Sequence, residues 1–272
     1  MQRARRFVQS LSLLLLHSSW GPEAKWLCHP VYTCHACPLS WFACPIGVFV
    51  HYSGYRIFPL FAVGTLVIFG ALLGRLLCGW VCPFGFLQDL LHKIPSPKFT
   101  APDWTANIKY VVLIVSVFLL PFMLGEGTVW SYCRFCPVAA IQVTLPWAAK
   151  NGVALFQWYH WVKIGLMVVI LVTVVFSSRI FCRALCPIGA LMAVFNYVSF
   201  WRVKPPTQAC ISCRKCDKNC PTGVHPSERI QNGLPPSHNL DCVLCHECSS
   251  VCPVKGKLAE DDSAPPQTEP AA

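Results

Sequence analysis

The sequence predicts an α-helical integral membrane protein of about four spans, internally duplicated, with a C-terminal α+β two-cluster ferredoxin module. Three observations carry that reading. Hydrophobic residues make up 54% of the 272 residues and charged ones only 12%, and the apolar residues fall in blocks. A cysteine frame recurs in the first three quarters of the chain. Two copies of a ferredoxin-type cysteine run lie near its end.

The apolar blocks set the membrane part, residues 1–204. Arg3, Arg5 and Arg6 precede an apolar stretch at 7–16 that is short for a span. No small-residue cleavage site follows cleanly, so an uncleaved first span running on towards Trp20 or Leu27 is favoured over a removed signal. The segments 57–74, 108–124 and 158–178 run to 17–21 residues, enough to cross a hydrocarbon core of about 30 Å. Lys109 sits one residue inside the second of these and is expected to snorkel. Arg75, Lys93, Lys98 and Lys109 share one loop, and Arg179, Arg183, Arg202 and Lys204 follow the last span, whereas 125–157 holds only Arg134 and Lys150. By the positive-inside rule the two richer regions are cytoplasmic, which places the chain in a bacterial or archaeal cytoplasmic membrane. The net charge of +10 is then a matter of lipid headgroups and topology rather than of nucleic acid.

Within this part, two units at about 28–100 and 129–200 repeat one another. Arg75-Leu-Leu-Cys78-Gly-Trp-Val-Cys82-Pro83-Phe-Gly85 matches Arg179-Ile-Phe-Cys182-Arg-Ala-Leu-Cys186-Pro187-Ile-Gly189, and upstream Cys34-His-Ala-Cys37-Pro38 matches Cys133-Arg-Phe-Cys136-Pro137. Two like units predict a pseudo-twofold about the membrane normal. It would bring Cys78, Cys82, Cys182 and Cys186 together on the inner side and Cys34, Cys37, Cys133 and Cys136 on the opposite, outer side. Each set of thiols suits an iron–sulfur or other soft-metal centre. A structural pair at the inner side and disulfides at the outer side are the competing readings. Cys28 and Cys44 remain over. Cys44-Pro45-Ile46-Gly47 echoes the inner Cys-Pro-x-Gly element, so Cys44 belongs either to the outer site or to a disulfide with Cys28.

Residues 205–257 hold the ferredoxin pattern: Cys210-x2-Cys213-x2-Cys216-x3-Cys220-Pro221 and Cys242-x2-Cys245-x2-Cys248-x3-Cys252-Pro253. In such runs three closely spaced thiolates wrap one 4Fe–4S cluster and the fourth reaches across to the other. That assigns Cys210, Cys213, Cys216 and Cys252 to one cluster, and Cys242, Cys245, Cys248 and Cys220 to the second. Zinc ribbons rarely show this spacing twice. The tail, 258–272, reads as disordered.

With these motifs in place, the chain resembles the NapH/NosR group of polytopic membrane ferredoxin-type proteins. The resemblance rests on multiple spans, on Cys78/Cys82 and Cys182/Cys186, and on the two C-terminal 4Fe–4S motifs, and it covers about 75–253. It implies quinol oxidation at the membrane and delivery of electrons to a reductase partner. The cysteines at 28–44 and the pair Cys133/Cys136 lie beyond the core pattern. The expected function is therefore electron transfer between the quinone pool and a redox partner protein, in contact with membrane lipid, with two 4Fe–4S clusters and one or two further centres. The alternatives are a copper-reducing maturation accessory and a thiol-based redox sensor. No nucleotide, flavin or molybdenum motif is visible. His17, His51 and His160 form no helical pair for haem, Trp130, Trp147, Trp158, Tyr159 and Trp161 read as an aromatic belt, and Glu126 is a weak proton-acceptor candidate.

Overall fold

The computed structural model describes residues 2–17, 25–37, 39–99, 101–154, 156–204, 206 and 210–254. The continuation of the first span through 18–24 and the tail beyond Lys257 lie outside the described residues. Within them the chain is helical and contains no strand, only a single bridge between Cys28 and Ala43.

Helix α1 (Gln2–Leu16) buries Arg5, Gln9, Ser12 and Leu16, while Phe7 and Leu14 are each 69% exposed. Polar side chains inside and leucines outside reverse the pattern of a water-facing helix and suit one that faces lipid. Helices α2 (Pro45–Gly54) and α3 (Leu60–Leu73) follow. The expected span at 57–74 is thus a helix of only 14 residues, because Pro59 stands at its N-cap and restricts the backbone before it. After α4 (Leu76–Trp80) and α5 (Pro83–Leu91) comes α6 (Asp103–Leu124), and after α7 (Tyr132–Phe135) and α8 (residues 137–151) comes α9 (Trp158–Phe176). Helices α6 and α9 are long and apolar enough to cross a membrane. Both α6 and α8 contain a π-helical stretch, Leu113–Leu119 and Ala140–Thr144, each followed by a proline, Pro121 and Pro146. A residue without an N–H interrupts the ordinary ladder there. Helices α10 (Ile180–Ala184) and α11 (Pro187–Tyr197) complete this part.

The duplication is visible in the packing. Helix α5 packs against α1 and α9, and its counterpart α11 packs against α6 and α3. The α5–α9 and α11–α3 contacts correspond with the units exchanged, while α11 also meets α2. Four helices, α2, α5, α8 and α11, begin in the same way, with a cysteine at the N-cap (Cys44, Cys82, Cys136, Cys186) and proline at the first helical position, where the missing N–H costs nothing.

The C-terminal module folds as three short helices, α12 (Lys215–Lys218), α13 (Pro226–Gln231) and α14 (Glu247–Val251). The strands expected of an α+β module are not found among its described residues. Its cysteine loops hold non-glycine residues at positive φ, which breaks extended pairing, and the flanks at 207–209 and 255–257 lie outside the described residues.

Candidate iron–sulfur sites

The two ferredoxin loops share one backbone signature. Ser212 and Arg214 flank Cys213 at φ of 55° and 50°, and Leu244 and His246 flank Cys245 at 51° and 59°. Left-handed conformations are costly for leucine and histidine. Alternating backbone signs turn successive N–H groups into one concavity, a nest for an anionic group. Cys216 and Cys248 then sit on the first turns of α12 and α14, which pack together. Cys220 lies near Cys242, Cys245 and Cys248, and Cys210 lies near Cys216. Cys213 is exposed, and Cys252 caps the end of α14. Burial and neighbouring sulfurs push the Cys242 thiol up to about 12 and Cys245 up to about 11. Crowded, desolvated sulfurs of this kind form thiolates at neutral pH when a metal cation binds them. The donor set and the nests fit a 4Fe–4S cluster at each loop.

The inner four cysteines do come together. Cys82 interacts with Cys78 and Cys182, and Cys186 with Cys78, Cys82 and Cys182. Gly85 N donates to Cys82 Sγ (3.4 Å), Gly189 N to Cys186 Sγ (3.3 Å) and Gln88 Nε2 to Cys182 Sγ (3.1 Å). Arg75 and Arg179 are 1% and 0% exposed, and each crosses to the other unit. Arg75 Nη2 donates to the Cys182 carbonyl (3.4 Å) and Arg179 Nη1 to the Cys78 carbonyl (3.2 Å). Asp89 receives Arg179 through both its oxygens at 2.7 Å, and Asp241 stands 4.0 Å from Arg75. By position at the ends of apolar segments the two arginines are topology signals. Burial in this symmetric form makes them part of the site, because two desolvated guanidiniums favour a negatively charged group among the sulfurs.

The second ferredoxin loop docks directly on this inner set. Cys78, Val243 and Cys245 form one buried cluster. Trp80 Nε1 donates to the Leu244 carbonyl (3.1 Å), and Asn196 Nδ2 to the carbonyls of Asn239 and Cys242 (2.8 Å each). A Cβ on Gly79 would lie 2.2 Å from the Val243 oxygen, so only glycine admits the loop here. Lys109 is fully buried and paired with Asp241 of the same loop. It does not snorkel, because a carboxylate from the module reaches it first.

The outer cysteines are regrouped. One narrow cavity is lined by Cys34, Cys44, Cys133 and Cys136, while Cys37 lines a different cavity with Leu13, His17 and Pro83. All 18 cysteines are free of disulfides. The two sets are not at opposite ends of the membrane part: Tyr32 Oη accepts from Cys136 Sγ (3.6 Å), and the Tyr32 backbone lies within hydrogen-bonding reach of the Cys82 sulfur. Among the described residues no three Cys, His, Asp or Glu side chains are arranged for a single metal ion.

Comparison with known proteins adds a family. A family model described as a 4Fe-4S binding domain matches residues 55–102 and 159–205, the two repeated units that carry Cys78/Cys82 and Cys182/Cys186. The putative electron transport protein YccM of Escherichia coli is 26% identical over 207 residues, covering 71% of this chain and 53% of that protein. The regulatory protein NosR of Stutzerimonas stutzeri is 27% identical over 227 residues, 76% of this chain but 28% of its own length. The ferredoxin-type protein NapH of Haemophilus influenzae is 28% identical over 204 residues, 72% and 66%. No solved structure matches. The chain is similar to ferredoxin-type proteins of the NapH/NosR group and carries 4Fe-4S binding domain matches in both repeated units.

Proposed function

We propose that this electron-transfer protein links the quinone pool of a bacterial or archaeal cytoplasmic membrane to a redox partner protein, with the ferredoxin module on the cytoplasmic side. The observation that carries the reading is the seating of the second ferredoxin loop on the inner cysteines, through Cys78, Val243 and Cys245. Cys210, Cys213, Cys216 and Cys252 would hold one 4Fe–4S cluster, Cys242, Cys245, Cys248 and Cys220 a second, and Cys78, Cys82, Cys182 and Cys186 a further iron–sulfur centre. Bound there, such groups supply one-electron transfer. The chain's own residues do the rest. Arg75 and Arg179 set a positive field at the inner sulfurs, Gln88 and the glycine amides hold those sulfurs by hydrogen bonds, and Val243 and Trp80 exclude water from the junction.

A quinone site is supported by an apolar cavity of about 400 Å³ lined by Leu13, His17, Phe84, Leu87, Ile141 and Gln142 among others. That is a usual volume for a small-molecule pocket. His17 and Gln142 contact each other at its edge and are its polar groups, and Phe84 lies two residues from Cys82. In four-span form, α1 and α3 cross with α6 and α9, and the exposed leucines of α1 face lipid.

The test uses the full chain, purified anaerobically into lipid nanodiscs and mixed with a short-chain quinol. Bleaching of the iron–sulfur absorbance is expected, and the Cys78→Ser/Cys182→Ser double variant should lose it while keeping its ferredoxin irons. No reduction of wild type in lipid or in detergent would sink the quinone link.

A further inference from the structure

Four cysteines from both units line one cavity deep in the membrane part, yet the pairing that sequence repetition suggests does not produce it. Aligned by the repeat, Cys37 is the counterpart of Cys136. In the fold that counterpart is Cys44. Cys44 and Cys136 are each the N-cap of a helix with proline at the first position, and they face one cavity with Cys34 and Cys133. Cys44 interacts with Cys133, Cys136 and Cys34, and Cys133 with Cys136 and Cys34.

A second feature points to the charge of what these sulfurs hold. Lys163 on α9 is 7% exposed, and its charge-bearing end lies near Cys136, Cys34 and Cys133. Among the described residues its hydrogen bond runs to Thr144 Oγ1 at 3.5 Å, a long one. A buried ammonium with so little support calls for a negative group beside it. The inner set has its arginines in the equivalent role. The amide of Cys34 is fixed by Gln142 Oε1 at 2.6 Å, which ties the first unit's loop to α8 of the second.

We propose that Cys34, Cys44, Cys133 and Cys136 hold a second membrane-embedded iron–sulfur centre, stacked on the inner one across the Tyr32–Tyr132 pair. The proposal rests on the electron-transfer reading above. Tyr32 Oη donates to Tyr132 Oη (2.5 Å), and Tyr132 Oη donates to the Leu185 carbonyl (3.4 Å) next to Cys186. Tyr32 also packs edge-on against Phe181 at 5.6 Å. The separation between the two sets is therefore one layer of aromatic side chains. Along α1, whose 15 residues rise about 22 Å, Gln9 and Ser12 bond the Gly79 and Val81 carbonyls by the inner set, and the Leu16 carbonyl accepts from Trp41 N beside the outer loop. Thiolates from two units around one pocket suit iron–sulfur coordination, and Cys37 is outside it.

The experiment compares the full chain with Cys44→Ser, Cys133→Ser and Cys37→Ser variants, each purified anaerobically in nanodiscs, by iron and labile-sulfide content and by EPR of the reduced protein. Cys44→Ser and Cys133→Ser should each lose about four irons, the content of one cubane, and one EPR centre, with the ferredoxin signals retained. Cys37→Ser, which alters only the wall of the neighbouring apolar cavity, should keep the wild-type iron content and EPR centres. Full iron in both cavity variants, or an equal loss in Cys37→Ser, overturns the proposal. Should a cavity variant misfold, peptide mapping of wild type without reductant decides: free thiols at all four positions are expected, and a Cys34–Cys44 or Cys133–Cys136 disulfide refutes the site. The Cys78→Ser/Cys182→Ser variant should keep the outer centre, which separates failure here from failure of the inner reading.

Discussion

The inner and outer cysteine sets are built from the same repeated units but secured differently. At the inner set, Arg75 and Arg179 are locked by carbonyls of the opposite unit and by Asp89 and Asp241, and the ferredoxin loop closes over it. At the outer set, the hydrogen bond of Lys163 among the described residues is a long one, and Tyr32 and Tyr132 line the cavity of the thiols. The inner set is a junction whose geometry several elements over-determine. The outer set rests on the Gln142–Cys34 amide bond and on sulfur and aromatic packing, so variants should expose the contrast.

The largest expected effect is at Arg179. Arg179→Ala strips Asp89 Oδ1 of its donor and leaves Oδ2 to Arg5 alone, and should cost about 1.5–3 kcal/mol, the scale for hydrogen bonds to a charged group. Lys163→Met, by contrast, removes an ill-supported charge and should cost far less. Chemical denaturation of both proteins in nanodiscs checks this, and equal losses would break the comparison. Next is Gly79→Ala. Its Cβ would meet the Val243 oxygen at 2.2 Å, an overpacking penalty of about 1–3 kcal/mol. Hydrogen exchange should rise across 239–246, whereas Gly165→Ala, with nothing near its Cβ, should leave exchange there unchanged. Tyr32→Phe removes one hydroxyl from the aromatic layer and should cost about 1 kcal/mol with iron content unchanged. The smallest effect is at Gln88. Gln88→Leu deletes the hydrogen bond to Cys182 Sγ. A donor to a ligand sulfur stabilises the more negative, reduced state, so the inner centre's midpoint potential should fall in a redox titration while stability barely moves.

The parts legible in the sequence are those set by short-range spacing. The ferredoxin runs and the Arg-x2-Cys-x3-Cys-Pro repeats are local patterns, and Cys78, Cys82, Cys182 and Cys186 lie near one another. The regrouped outer set was not legible. Cys37 and Cys44 sit in one loop, and which of them turns into the cavity depends on how residues 28–44 fold back, with Cys28 bridging Ala43. Nor were Lys109 and the two arginines. Hydropathy reads a charge near a span's end as a topology mark, but its fate depends on whether a carboxylate from elsewhere, here Asp241 or Asp89, arrives to pair it. Helix α3 falls short of its expected length through one proline, and α2 has only 10 residues, too few for a span criterion to notice.

The central claim is that the membrane part carries its own iron–sulfur centre against the ferredoxin module. Iron and labile-sulfide counting on the anaerobic Cys78→Ser/Cys182→Ser protein tests it most directly. The account predicts about four irons fewer than wild type, with the roughly eight irons and the EPR signals of the ferredoxin pair intact. An unchanged count, or a wild type that holds only those roughly eight irons, contradicts it.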